Sequence, residues 1–166
     1  MTVAVSGTWN LHTAISQRWT DAGLDAKFRA EWPAPADAGK LPLNWQEASP
    51  STPVPFAVFS VENPVPLGHS TGRAAGTEQQ YCRVAVVFQV FAKRTASESA
   101  KAVAARMMAL VAAAFDPGAG KWPMPVGSPD AIQQVRRTAD WLQRIDDITT
   151  EAGLRFEIRI DSDFAR

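Results

Sequence analysis

The strongest constraint on the fold lies between Tyr81 and Phe115, where an apolar strand runs directly into an alanine-rich helix. Every even position of the strand, from Cys82 to Ala92, is apolar, whereas the odd positions mix polar and apolar residues. Because successive strand side chains point to opposite faces, we expect one face in a core and the other covered only in part. This unit is a packing scaffold, and it contains no catalytic constellation.

The segment Ser97–Phe115 is predicted to be the helix of that unit. Thr95 and Glu98 stand at the spacing of a capping box just before it. Apolar residues then recur at helical intervals and form one stripe: Ala100, Val103, Ala104, Met107, Leu110, Val111 and Ala114. The helix is therefore expected to pack on the neighbouring strand.

Three further strands are predicted from period-two alternation or short apolar runs. Leu24–Trp32 alternates cleanly, Phe56–Glu62 is a short buried run, and Leu154–Asp161 is the clearest strand in the chain. On that last strand Ile158 should point inward and Arg159 outward. A further helix is predicted over Thr8–Ala22, with Gly23 placed to end it.

Two long connections and one ambiguous segment separate these elements. Pro33–Pro55 contains six prolines, which disfavour helix and central strand, and Val65–Gln80 reads as a glycine-containing loop. Asp130–Ile145 fits helical spacing slightly better than strand spacing, and the residues leave both open. We therefore predict an α+β fold for residues 1–166 as a single domain. It should have a mainly antiparallel sheet of four to five strands, two packed helices and long proline-rich loops.

Composition excludes several classes of function. Seventeen basic residues balance seventeen acidic ones, so no net field attracts nucleic acid or a membrane surface. Cys82 is the only cysteine, which excludes an internal disulfide or a cysteine-based zinc site, and its strand position predicts a buried, inert thiol. No uninterrupted apolar run is long enough for a membrane span, and no signal peptide is recognisable, so folding in the cytoplasm is expected.

No side chains are spaced for catalysis or for holding a cofactor or metal ion. His12 and His69 are the only histidines, they lack the spacing of metal ligands, and the scattered carboxylates form no acid–base pair. The sequence therefore predicts no enzyme activity, no cofactor and no metal.

Several residues are candidates for contacts between proteins. Trp45 and Trp122 stand in proline-rich segments, where each could anchor a partner or pack back onto its own domain. Arg136 and Arg137, with Arg144 and Trp141 nearby, could form a nucleic-acid patch, although a solvated or subunit-contacting face is favoured because aspartates offset them. The full set of candidate assembly residues is Trp45, His69, Arg73, Trp122, Arg136, Arg137 and Arg159.

The chain resembles the tail terminator proteins of long-tailed bacteriophages, also called tail completion or head–tail joining proteins. The resemblance rests on the order and character of segments across most of the chain. These are the helix Leu11–Ala22, the extended region ending in Pro55–Phe59, the loop Gly72–Gln80, the strand Arg83–Phe91, the helix Ser97–Phe115, and the segments Val135–Leu142 and Leu154–Ile160. The Pro33–Pro55 segment and the length of the chain depart from the family pattern.

The resemblance implies a structure and a role. Asp130–Ile145 should be a strand that pairs with Leu154–Asp161 as a hairpin closed by Asp146–Gly153. The protein should form a ring of six copies that caps the tail tube and docks the head connector, with DNA only as cargo passing through the lumen. Its place would be the neck of the virion, reached by assembly in the host cytoplasm, with no membrane partner. The alternative is a small-molecule-binding or regulatory α+β domain of a bacterial protein.

Overall fold

A computed structural model describes residues 3–31, 43–48, 54–70, 77–118, 120, 122–124, 126, 128 and 130–165. It confirms the α+β class and the mainly antiparallel sheet, with three helices and six strands in these ranges. The helices are α1 (Val3–Asp21), α2 (Leu24–Glu31) and α3 (Ala100–Phe115). The strands are β1 (Leu43–Trp45), β2 (Phe56–Val61), β3 (Val65–Ser70), β4 (Thr77–Lys93), β5 (Asp130–Arg144) and β6 (Thr149–Ala165).

The sheet is organised around the 17-residue strand β4. One side of β4 pairs along its whole length with β6, which in turn pairs with β5. The other side of β4 pairs with β2 and then with β3, and β1 adds to β2 as a parallel strand. The sheet therefore has β5 at one edge and β1 and β3 at the opposite edge.

The core lies between one sheet face and the helices. Val84, Val86, Phe88, Val90 and Ala92 on β4 are all buried, as the alternation predicts. The ring of Phe88 packs against four other aromatic rings, with centroid distances of 4.6 Å to Phe115, 6.0 Å to Phe156, 6.1 Å to Trp122 and 6.2 Å to Phe59. The predicted register of β6 is also confirmed, since Ile158 is fully buried and Arg159 is exposed.

The prediction of a strand over Leu24–Trp32 is wrong, because Leu24–Glu31 is helix α2. Leu24 and Phe28 are four residues apart and therefore share one face of a helix, where both are buried. Trp19 of α1 fixes this helix: its ring lies 5.1 Å from that of Phe28, and its Nε1 donates to Asp25 at 2.6 Å. Residues that alternate with period two also recur every four residues, so the pattern fits both a strand and a helix. The contact between Trp19 and Phe28 selects the helix.

Among the described residues no helix is long and apolar enough to cross a membrane.

The helix after β4 begins three residues later than predicted, at Ala100 instead of Ser97. Ser99 is its N-cap, in an extended backbone conformation, and its Oγ accepts from the Ala102 amide at 3.2 Å. The predicted pair forms a turn ahead of the helix instead, in which Thr95 Oγ accepts from the Glu98 amide at 2.9 Å. Glu98 then forms a bidentate ion pair with Arg106, which lowers the pKa of its carboxyl group through hydrogen bonding.

The prediction of one loop over Val65–Gln80 is also wrong for its described residues. Val65–Ser70 forms β3, and β4 already begins at Thr77. Cross-strand backbone pairing from Val65↔Arg83 to Ser70↔Gln79 overrides the weak strand propensity of a segment that contains proline and glycine. Residues 71–76 lie outside the described ranges, as does most of the proline-rich segment.

The ambiguous segment is a strand, as the resemblance implies. Residues 130–144 form β5, which pairs antiparallel with β6 from Asp130↔Ser162 to Arg144↔Thr150. The turn occupies residues 145–148 and is shorter than the predicted Asp146–Gly153 closure. Two irregularities, between Ile132 and Gln134 and between Arg137 and Ala139, interrupt the register of β5. They break the period-two pattern that would have identified this strand.

Candidate assembly surfaces

A groove lies beside β5 on the helical side of the sheet, and we call it the α3–β5 groove. Its volume is about 510 Å³, and its walls are the small residues Ala105, Ala109 and Ala112 of α3 and the side chain of Leu142 on β5. Arg137 and Asp140, which form an ion pair with each other, stand at its rim. Because α3 packs over β4 and β6, Leu142 remains 39% exposed.

The opposite edge of the sheet, formed by β1 and β3, exposes another set of apolar side chains. Val65 and Leu67 on β3 are about half exposed, and Trp45 on β1 is 40% exposed. The Trp45 ring packs edge-on against His12 of α1 at a centroid distance of 4.2 Å. Burial in this contact lowers the pKa of the His12 imidazole. Trp45 is thus held in place by its own chain while much of its ring stays accessible.

The sheet face away from the helices carries cross-strand ion pairs. Arg155 binds Glu62 with two hydrogen bonds of 2.6 and 2.8 Å, and Arg83 lies 3.8 Å from Glu157. The guanidinium of Arg159 lies 5.0 Å above the Tyr81 ring, and its Nε is 3.8 Å from Asp161. Positive and negative charges alternate across neighbouring strands here, so this face has little net charge.

A tryptophan crosses a glycine near the turn of the β5–β6 hairpin. Trp141 lies directly over Gly153, so that a Cβ added to the glycine would stand 2.0 Å from the indole ring. The Trp141 Nε1 donates to Glu151 at 2.9 Å, and Gln89 Nε2 donates to the same carboxylate oxygen at 3.0 Å. This network joins β4, β6 and β5 by side chains in addition to their backbone pairing.

The turn of that hairpin is ordered by an aspartate and displays two isoleucines. Asp146 Oδ1 accepts from the amides of Ile148 at 2.8 Å and Thr149 at 2.7 Å. The hydrogen bond from Ile148, together with that from Thr149 and the charge of Lys93, lowers the pKa of Asp146. Ile145 and Ile148 are 50% and 42% exposed. The turn therefore presents apolar side chains on a defined backbone.

The strand conformation of β5 separates the two adjacent arginines that the sequence placed together. Arg136 stands opposite Glu157, on the face away from the helices, whereas Arg137 stands opposite Phe156 and lines the α3–β5 groove. Arg159, two residues from Glu157, lies on the same sheet face as Arg136. The structure thus brings Arg136 and Arg159 to one face, and Arg136 and Arg137 do not form a single patch.

The two candidate tryptophans have opposite environments. Trp45 is exposed, but Trp122 is 1% exposed and packs between Phe115 and Phe156 at 5.0 and 5.4 Å. Trp122 is therefore a core residue, because its large apolar ring fills the space at the end of α3. Its Nε1 has no hydrogen-bond partner among the described residues. His69 lies in β3, opposite Gln80, and Arg73 lies outside the described residues.

Cys82 is less buried than the strand pattern predicts. It is partly exposed, because β4 extends beyond the fully covered part of the sheet. Desolvation and the negative charge of Asp130 raise the pKa of its thiol, so the reactive thiolate is disfavoured at neutral pH. In the described part of the chain, no three histidine, cysteine or carboxylate side chains are grouped to hold a metal ion.

The α3–β5 groove and the hairpin turn were not identified from the sequence. The signal for the groove is present, since from Met107 to Phe115 helix α3 has no charged or hydrogen-bonding side chain. A helix with one face in water would carry such residues on that face. The turn has no comparable signal, because Ile145 and Ile148 read as part of a buried strand or helix until the hairpin register is known.

Comparison with known structures finds the fold in a virus-like particle. A chain of the virion of a native gene transfer agent particle superposes with a TM-score of 0.55 and 14% sequence identity. The match covers 97% of this chain and 100% of that one. At this identity the likeness establishes a common fold. No protein-family model matches the chain, and no curated protein matches it.

Proposed function

We propose that the protein is a non-enzymatic structural component of a phage-like virion, and specifically a ring-forming tail terminator. One observation carries the proposal: the fold of the whole chain is that of a chain in a gene transfer agent virion, and both chains are covered almost completely. A likeness that spans both chains supports the interpretation of residues 1–166 as one domain.

The specific role within the virion follows from the resemblance to tail terminators. Six copies form a ring on the end of the tail tube, stop its growth and present the docking surface for the head connector. DNA passes through the lumen as cargo. The ring acts in the neck of the virion after assembly in the host cytoplasm. Both edges of the sheet expose apolar side chains. Such surfaces are expected where partner proteins cover the edges after assembly, and they therefore support the proposed role.

A small-molecule-binding or regulatory domain is the second candidate, and the α3–β5 groove is the observation that favours it. A volume of about 510 Å³ falls within the range of ligand pockets, about 300–1,000 Å³. However, its polar rim residues Arg137 and Asp140 already bind each other, and its other lining residues are mostly apolar. The groove offers few convergent polar groups for a small ligand and is better suited to a protein surface.

The proposal is tested by native mass and by the particles themselves. Purified protein, alone and with tail tubes, should give a species of about 108 kDa, six times the 18.0 kDa chain. Particles made without the protein should have free heads together with tails of uncontrolled length. Two results together would support the regulatory alternative. Particles made without the protein would be normal, and the purified protein would be a monomer that binds small metabolites.

A further inference from the structure

The two edges of the sheet differ in charge. The described residues of the first edge, 43–48 and 54–70, contain Glu47 and Glu62 and no lysine or arginine. On the other side, α3 and β5 together carry five cationic side chains and two carboxylates, of which Asp130 is buried. In a chain whose net charge is zero, residues 43–48 and 54–70 thus carry a net negative charge, and α3 and β5 taken by themselves carry a net positive one. We call residues 43–48 and 54–70 the acidic edge.

The difference persists after ion pairs within the chain are set aside. Glu62 is held by Arg155, and Arg106, Arg137 and Arg144 are held by Glu98, Asp140 and Asp147. Glu47 on the acidic edge and Lys101 on α3 form no ion pair with another described residue. One unpaired anion on the acidic edge thus has a counterpart in one unpaired cation on the helical side of the sheet.

The acidic edge is suited to contact by side chains and poorly suited to strand addition. Pro64 and Pro66 remove two backbone donors, and the β3–β4 register shifts between Pro66 and Gly68. Val65 and Leu67 are nevertheless exposed along it. A partner would therefore bury these apolar side chains and need not extend the sheet.

The α3–β5 groove has the complementary properties. Its lining is mostly apolar, and the alanines of α3 leave space for side chains such as Val65 and Leu67. The outer side of α3 exposes Ala102, Ala105, Ala109 and Ala113, and a helical segment that is apolar all round, as α3 is from Met107 to Phe115, is normally buried. Lys101 lies on α3 one turn before Ala105, which lines the groove.

We infer that the acidic edge of one copy docks in the α3–β5 groove of a second copy, with Leu67 against the alanine wall and Glu47 toward Lys101. Two different surfaces on opposite edges of one sheet make a head-to-tail contact, which is the type that closes into rings. The inference rests on the proposed function, since it names the contact by which a ring of this chain would form.

Site-directed crosslinking tests the contact in a Cys82→Ala background. One preparation carries Leu67→Cys and the other Ala112→Cys, and they are mixed and treated with a short bis-maleimide. The control replaces Ala112→Cys by Ala113→Cys. Residues 112 and 113 differ by about 100° around the helix axis, and Ala113 is the more exposed but does not line the groove. Circular dichroism checks that each variant is folded.

The mixture of Leu67→Cys and Ala112→Cys proteins should give a crosslinked two-chain product. Its yield should be at least tenfold higher than that of the control mixture and than that of either preparation alone. A yield equal to that of Ala113→Cys, or no product, would overturn the inference. A ring of six without the crosslink would leave the proposed function standing and refute this contact. A specific crosslink in a protein that particles do not require would refute the function and keep the contact.

Discussion

A single row of side chains across the sheet shows how differently its two edges are covered. Phe59, Phe88, Leu154 and Asp140 stand opposite one another on the strands β2, β4, β6 and β5, all on the helical side. The first three are at most 2% exposed, whereas Asp140 is largely in water. The helical layer therefore covers the sheet as far as β6 and leaves most of β5 open.

This difference separates what folds the domain from what is available for assembly. The covered strands are held by burial of large side chains, each worth about 1.5–3 kcal/mol. Beyond Val135, strand β5 depends on backbone pairing with β6 and on local contacts such as Trp141 over Gly153. Substitutions in the covered part should change stability, and substitutions on β5 should mainly change contacts with other proteins.

The largest effect should follow from a charge placed in the covered part. Ile158→Lys buries an ammonium group at a fully buried position with no partner, and we expect unfolded or insoluble protein. The matched control is Arg159→Gln, one residue along β6 and on the opposite face, which avoids a like charge beside Asp161. The control should lie within about 0.5 kcal/mol of wild type in urea unfolding. A folded Ile158→Lys protein would mean that the register of β6 is wrong.

The next largest effect comes from substitutions at a covered and at an exposed position of the row Phe59, Phe88, Leu154 and Asp140. Phe88→Ala removes a ring that contacts Phe115, Phe156 and Trp122, and should destabilise the domain by about 3–5 kcal/mol. Asp140→Ala, at the exposed end, breaks a surface ion pair with Arg137 and should cost at most about 1 kcal/mol. Urea unfolding measures both. Equal losses would show that β5 is as well supported as β4.

A smaller effect is expected where the hairpin packs on itself. Gly153→Ala forces the Trp141 ring to move and strains or breaks its hydrogen bond to Glu151, for a loss of about 1–3 kcal/mol. In a Trp141→Ala background the clash is gone, so the same Gly153→Ala change should cost much less. Urea unfolding of the four proteins of this double-mutant cycle gives the coupling. A coupling of zero would mean that the tryptophan does not lie on the glycine.

The same contrast explains which features could be predicted from the sequence. Covered elements have regular apolar periods because a core enforces them, so the pattern predicts the central parts of β4 and β6 and the body of α3 correctly. The inward Ile158 and outward Arg159 followed from the period alone. In α2 the pattern satisfied two periods at once, and only the contact of Trp19 with Phe28 selects the helix.

The exposed elements could not be predicted in the same way. In β5 the register irregularities remove the alternation, and most positions face water, so no apolar period marks the strand. Strand β3 is held by its neighbour β4, a long-range pairing that its own proline and glycine do not signal. Trp122 is a further case, because its proline-rich context leaves a partner contact and packing onto its own domain both open, and the core in fact encloses it.

The smallest expected effect is a pH dependence at the exposed hairpin turn. Asp146 has a pKa below its ordinary value of 3.8, chiefly because the Ile148 amide donates to it. A lowered folded-state pKa contributes stability above the unfolded value, and that stability is lost as pH falls through the folded value. The advantage of wild type over Asp146→Asn in urea unfolding should therefore be greatest near about pH 6 and shrink below about pH 4. Repeating the measurement at about 1 M salt, where the Debye length is about 3 Å, screens the charge of Lys93 and retains the amide contribution. An advantage that grows with acidity would mean that the carboxylate does not accept these amides.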